Sequence, residues 1–490
     1  MSSTMDGLSE AGHQKDSGSP PALRAGVWYT ATIVFTRASG LITVPLFARL
    51  LTKEEFGTYS NFVVVVLIVG ILTGFRGSLA IPRMKLDLGG QIDRFCFSTL
   101  ALTSIITLVC YGLSLLFKQA IMGLLGLSEI YLHIMFVYLL AFHAFEIMAS
   151  RARAFYRYRL FAILSAGSTL GGAALSLVFV VFFRDHLLGR TIGQYLPGTL
   201  IGFGLYVFLA IKSKGITFKY WGTVAALCLP LVPNVLSLYV LSSSDRIMIT
   251  AYWGAANTAL YALAASLASI VGVLFHAMND AWSPWLFERL SLGAAGIVRR
   301  ASSEYFLVCM TLCVTVILLS PEAIGLLGGK SFQDSLGLAP PLIVGSLFQA
   351  SYGLYANLQF YCKKTVGIAV GSVVAASVNL VLNLILVPQF GMYAAAYDAL
   401  VGYGVLLAAH YLLVRRLDYH RVYSVKVIVG GTVGCIGLIP VALWSYDHVV
   451  FRFCLLGTLV GGSAAWLVTR RRAQRMEDEG QGGGRMREEI

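Results

Sequence analysis

Fourteen apolar segments, each long enough to cross a lipid bilayer, follow one another along the 490-residue chain. A membrane-spanning helix needs about 20 apolar residues, and backbone groups inside the bilayer can bond only within helices or closed barrels. Only 12% of the residues are charged, against about 25% in soluble domains. We therefore predict an all-α polytopic membrane protein. The predicted spans are 25–50, 59–82, 95–117, 130–150, 160–183, 191–211, 224–251, 255–278, 301–320, 336–360, 365–388, 391–414, 424–444 and 450–469.

The positive charges lie mainly on one side of this predicted bundle. With the N-terminus in the cytoplasm, 27 of the 37 lysines and arginines fall in cytoplasmic segments or towards the cytoplasmic ends of spans, and eight fall in outer segments or towards the outer ends of spans. This asymmetry predicts an inner (cytoplasmic) membrane protein with both termini in the cytoplasm. The net charge of +13 is then a topology signal, and nucleic-acid binding is not expected. The polar segments 1–24 and 470–490 are predicted to be disordered, and no cleaved signal peptide is expected.

Residues suited to catalysis or metal binding do not converge in the sequence. The eight cysteines lie in or beside apolar segments and form no C-x-x-C pair, so no metal site is expected. The glycine-rich stretch at 325–331 lacks the spacing of a phosphate-binding loop. A transferase or polymerase is therefore disfavoured, and no catalytic residue or cofactor is expected.

Three arginines inside predicted spans are candidates for substrate binding: Arg37, Arg76 and Arg246. A charge at mid-membrane costs about 2.5–3.5 kcal/mol even on insertion scales, unless it faces water or a partner. Small residues flank all three, so a ligand can come close. We predict an anion-attracting cavity between two lobes. The alternative is structural: Arg246 pairs with Asp245, Arg76 extends towards the cytoplasm, and Arg37 binds carbonyl groups.

Five further ionisable residues are candidates for ion coupling or gating. They could form part of a proton or sodium path, or alternatively make hydrogen-bonded contacts between helices. His276 and Asp280 share one face of the eighth span through their i, i+4 spacing. The five candidates are Asp245, His276, Asp280, Glu146 and Asp398.

An internal repeat divides the chain. Tyr59 and Pro82 bracket the second span as Tyr261 and Pro284 bracket the eighth, at an offset of 202 residues. This offset pairs spans 1–6 with spans 7–12 as parallel repeats, which are related by an axis along the membrane normal. We therefore predict an N-lobe at 25–211, a C-lobe at 212–423 and two peripheral helices at 424–469.

Three stretches resemble signatures of the polysaccharide transporter (Wzx-type) family, part of the multidrug/oligosaccharidyl-lipid/polysaccharide flippase superfamily. They are ARLLTKEEFGTYSNF at 48–62, SSSDRIMITAYWGAANTALYALA at 242–264 and NLVLNLILVPQFGMYAAAYDAL at 379–400. The resemblance covers about residues 25–415. It implies two pseudo-symmetric six-helix lobes around a central cavity, with two peripheral helices.

The resemblance also implies a substrate and a mechanism. A member of this family moves polyprenyl-diphosphate-linked oligosaccharides between membrane leaflets by alternating access, for O-antigen or exopolysaccharide synthesis. Membrane lipids and polysaccharide polymerase or export machinery are then the expected partners. Arg37 also resembles an arginine of the related lipid II flippases that lines a cationic cavity. The alternatives are a cation-coupled drug antiporter of the same superfamily and a membrane-embedded glycosyltransferase or polymerase.

Overall fold

Long helices joined by turns and by short helical segments account for the fold of the described residues. The structure is a computed structural model that describes residues 21–488, except 156, 214, 418 and 420. The predicted N-terminal disorder therefore falls, up to residue 20, outside the described residues. The long helices are α1 (Pro21–Leu50), α2 (Lys53–Gly74), α3 (Ile92–Leu116), α4 (Glu129–Ala154), α5 (Tyr158–Phe182), α6 (His186–Ser213), α7 (Lys219–Trp253), α8 (Ala255–Ser291), α9 (Ala295–Leu318), α10 (Ala339–Tyr361), α11 (365–390), α12 (392–415), α13 (Val425–Ser445) and α14 (Val449–Glu488).

These helices confirm the fourteen predicted spans. Eleven helical stretches of the described chain are long and apolar enough to cross a membrane. One of them has 51 residues and is interrupted by non-helical backbone at Gly391, so it forms the two spans α11 and α12. The other two spans are α1 and α10, with 30 and 23 residues. Gly391 has φ +66°, a conformation that glycine adopts without steric cost.

The helices form two lobes with the same internal packing. In the N-lobe, α1 packs on α5, α4 on α6 and α5 on α6. In the C-lobe, α7 contacts α11 where Trp253 Nε1 donates to the Val387 carbonyl, 2.8 Å away. His410 on α12 contacts both α10, through Gln359, and α11, at Gly371. Each C-lobe pair lies six helices after its N-lobe counterpart, which confirms the predicted parallel repeat.

The lobes meet along α2 and α8 and approach each other closely at Gly57. A Cβ atom added to Gly57 would lie 1.8 Å from the carbonyl oxygen of Ala255, at the start of α8. Phe56 packs edge-on against Phe332, with ring centroids 5.9 Å apart. Small residues allow membrane helices to approach in this way. Both contacts lie at the predicted outer end of the helices, so the structure is closed at that end.

Helix α7 is broken and contacts both lobes. Its first part, Lys219–Cys228, is separated from Val232–Trp253 by a short 3₁₀ turn, and prolines at 230 and 233 explain the break because proline cannot donate a helix hydrogen bond. Trp221 Nε1 donates to the Ser98 carbonyl of α3 at 2.9 Å. The predicted C-lobe, which begins at residue 212, therefore starts with a segment that packs on the N-lobe.

The last two long helices lie at the periphery, on the C-lobe. Helix α13 packs on α9 and α10, and α14 packs on α9 and α13. Whereas the sequence predicts disorder after residue 469, α14 continues to Glu488. Arginine, alanine, glutamine and glutamate in 470–479 have high helix propensity, which explains the difference.

Candidate substrate cavity between the lobes

Four adjoining cavities run through the interior of the two lobes. The Arg76 cavity, of about 240 Å³, shares Val63 with an arginine-pair cavity of about 190 Å³. The arginine-pair cavity shares Arg246 with the Asp245 cavity of about 180 Å³. The Asp245 cavity shares Gly272, Ser346 and Gln349 with an aromatic cavity of about 220 Å³. Shared lining residues therefore connect all four.

The arginine-pair cavity lies between the lobes and is named for Arg190 and Arg246. Arg190 comes from α6 in the N-lobe and Arg246 from α7 in the C-lobe, and helices α1, α2 and α8 complete its walls. Among the described residues, neither guanidinium has a carboxylate within 4.0 Å. Two cations from different lobes therefore face one space, as an anionic ligand bound between the lobes would require.

Aromatic rings hold the Arg190 side chain in place. Its guanidinium carbon lies 3.6 Å from the ring centroid of Phe47 and 4.6 Å from that of Tyr59. Its Nη1 donates to Gln194 Oε1 at 3.0 Å, and its buried Nε has no hydrogen-bond partner. Cation–π stacking stabilises a guanidinium without neutralising it. Arg190 therefore keeps both its charge and donor capacity for a ligand.

Arg246 lies beside a carboxylate that is bonded elsewhere. Asp245 accepts hydrogen bonds from the Tyr261 hydroxyl at 2.5 Å and from Asn383 Nδ2 at 2.6 Å. Asn383 also donates to Asn379, so the network joins α7, α8 and α11. Asp245 interacts with Arg246 electrostatically, but they form no ion pair within 4.0 Å, and the buried Arg246 Nε has no partner. The alternative of a bonded Arg246–Asp245 pair is therefore wrong.

Arg76 lies in a cavity, but not within a helix as the sequence predicts. Helix α2 ends at Gly74, and Phe75 and Arg76 adopt left-handed conformations with φ of 31° and 59°. Two consecutive non-glycine residues in this region are rare, and such strain is typical of functional sites. Glu146 from α4 lines the same cavity and interacts with Arg76 electrostatically. The acidic neighbour of Arg76 therefore comes from α4 and not from α1 or α2.

Arg37 remains a prediction. Its backbone lies in α1, but its side chain is outside the described part of the structure. The shared cavity of Arg37 and Arg76 therefore stays a prediction.

The candidates for ion coupling separate into three places. Asp398 on α12 is 3% exposed, has one carboxylate oxygen without a partner, and interacts electrostatically with Asp245. Glu146 lies in the Arg76 cavity. His276 lines the aromatic cavity, whereas Asp280 is exposed and lines none of the four. Asp245 and Asp398 thus lie close enough to interact electrostatically.

Arg190 was missed by the sequence analysis, which placed it in an outer segment. In the structure it is 6% exposed and lies within α6. The sequence signal that could have identified it is its small neighbours, Gly189 and Gly193, which let α6 approach α5 closely. A Cβ atom added to Gly189 would lie 2.5 Å from the Phe179 carbonyl oxygen, and one added to Gly193 would lie 2.4 Å from Ser176 Cα. Small residues also flank the three arginines that were selected.

Two curated relatives match parts of the chain. An Lsg locus protein of Haemophilus influenzae is 26% identical over 137 residues, which cover 26% of this chain and 34% of that protein. An uncharacterized membrane protein of Methanocaldococcus jannaschii is 24% identical over 314 residues, covering 59% of this chain and 60% of that protein. The chain thus spans about a third and three fifths of these relatives.

Solved structures share the fold. The lipid II flippase MurJ in its inward closed conformation superposes with a TM-score of 0.67 at 15% identity, covering 91% of this chain and 99% of that one. An inward-facing multidrug resistance MATE family transporter of the MOP superfamily gives a TM-score of 0.56 at 13% identity, covering 81% and 98%. At these identities the similarity shows the fold alone.

A family described as "Polysaccharide biosynthesis protein" matches residues 22–289, which is more than half of the chain. The match includes all of the N-lobe spans as well as α7 and nearly all of α8. Because this match covers more than half of the chain, the chain belongs to the polysaccharide biosynthesis protein family.

Proposed function

We propose that the protein moves polyprenyl-diphosphate-linked oligosaccharides from the cytoplasmic to the outer leaflet of the inner membrane. The observation that carries the proposal is the arginine pair: Arg190 and Arg246, from different lobes, line one cavity without a bonded carboxylate. A diphosphate and sugars cannot cross hydrocarbon unaided, and buried arginines in a hydrated cavity can hold the charged group. The lipid tail would remain in the bilayer. Arg76 would add to the positive electrostatic potential of these cavities, and the prediction for Arg37 gives it the same role.

Arginine suits a diphosphate better than lysine does. The planar guanidinium presents several N–H donors in a fork that matches two phosphate oxygens. The Nε atoms of Arg76, Arg190 and Arg246 are buried and lack hydrogen-bond partners. A buried donor without a partner costs about 1–3 kcal/mol, so an oxyanion that enters these cavities would relieve that cost.

Alternating access would let the protein bind its substrate on the cytoplasmic side and release it on the outer side. In the structure the lobes are closed at the predicted outer end, where Gly57 meets Ala255. His276 and Phe360, which line the aromatic cavity, are exposed towards the predicted cytoplasmic end. This state would load substrate from the cytoplasm, and separation of the lobes at the α2–α8 contact would then release it outside.

Ion coupling is proposed for the C-lobe. The buried Asp245 and Asp398 interact electrostatically, and Asn383 Oδ1 is buried without a partner. Two carboxylates and an amide oxygen offer hard ligands to a proton or sodium ion. Binding there would change the charge beside Arg246, and so link ion binding to the substrate cavity. Polysaccharide polymerase or export proteins are the proposed partners.

A complementation experiment tests the function. In a strain that lacks an oligosaccharide flippase and contains the matching glycosyltransferases, we expect the protein to restore surface polysaccharide and to reduce the pool of cytoplasmic lipid-linked intermediate. The comparison is the same strain with an Arg246→Glu variant at equal protein level. Drug resistance without restored polysaccharide would instead favour the antiporter, which shares this fold.

A further inference from the structure

The aromatic cavity differs from the other three in its lining. It is formed by α7, α8, α9 and α10 of the C-lobe, and its walls contain no lysine, arginine, aspartate or glutamate. Aromatic rings and primary amides line it instead. The groups that matter are Tyr305, Tyr352, Asn279, Asn357 and Gln349. This chemistry is poorly suited to a diphosphate, so the arginine cavities and the aromatic cavity would bind different parts of a ligand.

Packing outside the cavity holds the two tyrosine rings. Tyr305 on α9 contacts Trp282, with ring centroids 5.1 Å apart. Tyr352 on α10 packs edge-on against the buried His410, at 4.5 Å. Fixed rings present flat faces whose negative quadrupole attracts the weakly positive C–H groups of a sugar ring. They thus provide stacking surfaces that need no rearrangement.

The amides have a defined orientation. Asn357 Nδ2 donates to Asn279 Oδ1 at 2.8 Å, which joins α10 to α8. This bond leaves the Asn279 amide donors and the Asn357 carbonyl acceptor for a ligand, and vicinal hydroxyls of a sugar need a donor and an acceptor. Gln349 lines both the aromatic and the Asp245 cavities. A ligand that extends from Arg246 into the aromatic cavity therefore passes Gln349.

We propose that the aromatic cavity binds uncharged sugars of the lipid-linked substrate while the arginine pair binds its diphosphate. The inference rests on the proposed function and adds a substrate preference to it. A neutral or N-acetylated sugar satisfies the amides and packs on the rings. A uronic acid would place a carboxylate against a wall without lysine or arginine, in which His276 is the basic side chain, so desolvation of the charge is compensated less than beside the arginine pair. The cavity therefore selects for neutral glycans at this position.

Binding measurements with three lipids test the preference. The purified protein in lipid nanodiscs is titrated with polyprenyl diphosphate, with the same lipid carrying a neutral disaccharide, and with the same lipid carrying a disaccharide that ends in a uronic acid. We expect the lipid that carries the neutral disaccharide to bind about tenfold more tightly than the sugar-free lipid. A tenfold gain in affinity corresponds to about one or two added hydrogen bonds. The uronic acid should lose that gain.

Isosteric variants separate the sugar site from the diphosphate site. Gln349→Met and Asn357→Leu should each remove about tenfold of the affinity for the neutral glycolipid and leave the sugar-free lipid unchanged. Arg190→Gln should weaken all three lipids. The control is Gln389→Met, at an exposed glutamine that lines none of the four cavities.

Each result decides between two claims. Equal affinity of the wild-type protein for sugar-free and neutral glycolipids, or wild-type affinities in both amide variants, would overturn the sugar site and leave the proposed function standing. If the folded wild-type protein bound none of the three lipids, the proposed function itself would fail.

Discussion

We expect the substitution Arg190→Gln to lower the rate of lipid-linked oligosaccharide translocation by about 10- to 100-fold. The guanidinium is buried in the arginine-pair cavity and stacked on Phe47, and each hydrogen bond to a charged group contributes about 1.5–3 kcal/mol. Glutamine preserves some donor capacity but removes the charge. The measurement is the initial rate in reconstituted vesicles, normalised to folded protein.

Two further variants distinguish binding from folding. Arg190→Lys keeps the charge but loses the fork and most of the stacking, so we expect partial activity. Arg184→Gln alters an exposed arginine near the start of the same helix and should have no effect. A lysine variant as inactive as glutamine, with a lowered melting temperature in both, would assign Arg190 a structural role instead.

The substitution Gly57→Ala should prevent closure of the outer end and abolish transport. The added Cβ would lie 1.8 Å from the Ala255 carbonyl oxygen and 3.0 Å from the Ala259 nitrogen. Both are backbone atoms, so the lobes must separate to relieve the overlap. Conformations closed at the outer end would then lose population, and a transporter that cannot close on one side cannot complete its cycle.

Spectroscopic labels on the two sides of the outer contact measure this shift. Labels at positions 53 and 330, in a background without the native cysteines, should report a short distance in the wild-type protein and a longer one in Gly57→Ala. The matched control is Gly112→Ala on α3, where an added Cβ meets nothing within 4 Å. An unchanged distance in Gly57→Ala would show that the α2–α8 contact is not the gate.

The spans and their repeat could be predicted because both are properties of periodic composition. Long apolar runs have few alternatives to helices in a bilayer, and the offset between Tyr59 and Tyr261 indicated the parallel lobes. The structure adds a chemical difference between the two positions. Tyr59 stacks on Arg190, whereas Tyr261 donates to Asp245. Sequence spacing alone could not distinguish these roles, since both depend on residues far away in the chain.

The composition of the cavities was harder to predict. Arg190 was assigned to an outer segment because hydropathy does not show how deeply a helix end packs. Contacts with Phe47, Tyr59 and α5 bury it. Helix α2 ends before Arg76 because Phe75 and Arg76 form a left-handed turn. A pattern of apolar residues does not reveal such a turn. Asp245 is partnered by residues 16 and 138 positions away. Such pairings are set by tertiary packing.

The most direct test of the central claim is translocation by the purified protein. A polyprenyl diphosphate carrying a neutral oligosaccharide is placed in both leaflets of vesicles, and a lectin or glycosidase added outside measures the accessible fraction over time. If the protein moves the glycolipid, the half that starts in the inner leaflet should become accessible at a rate proportional to protein content. Arg190→Gln and Arg246→Glu should slow this rate. Accessibility that stays at half with folded wild-type protein, under either a proton or a sodium gradient, would contradict it.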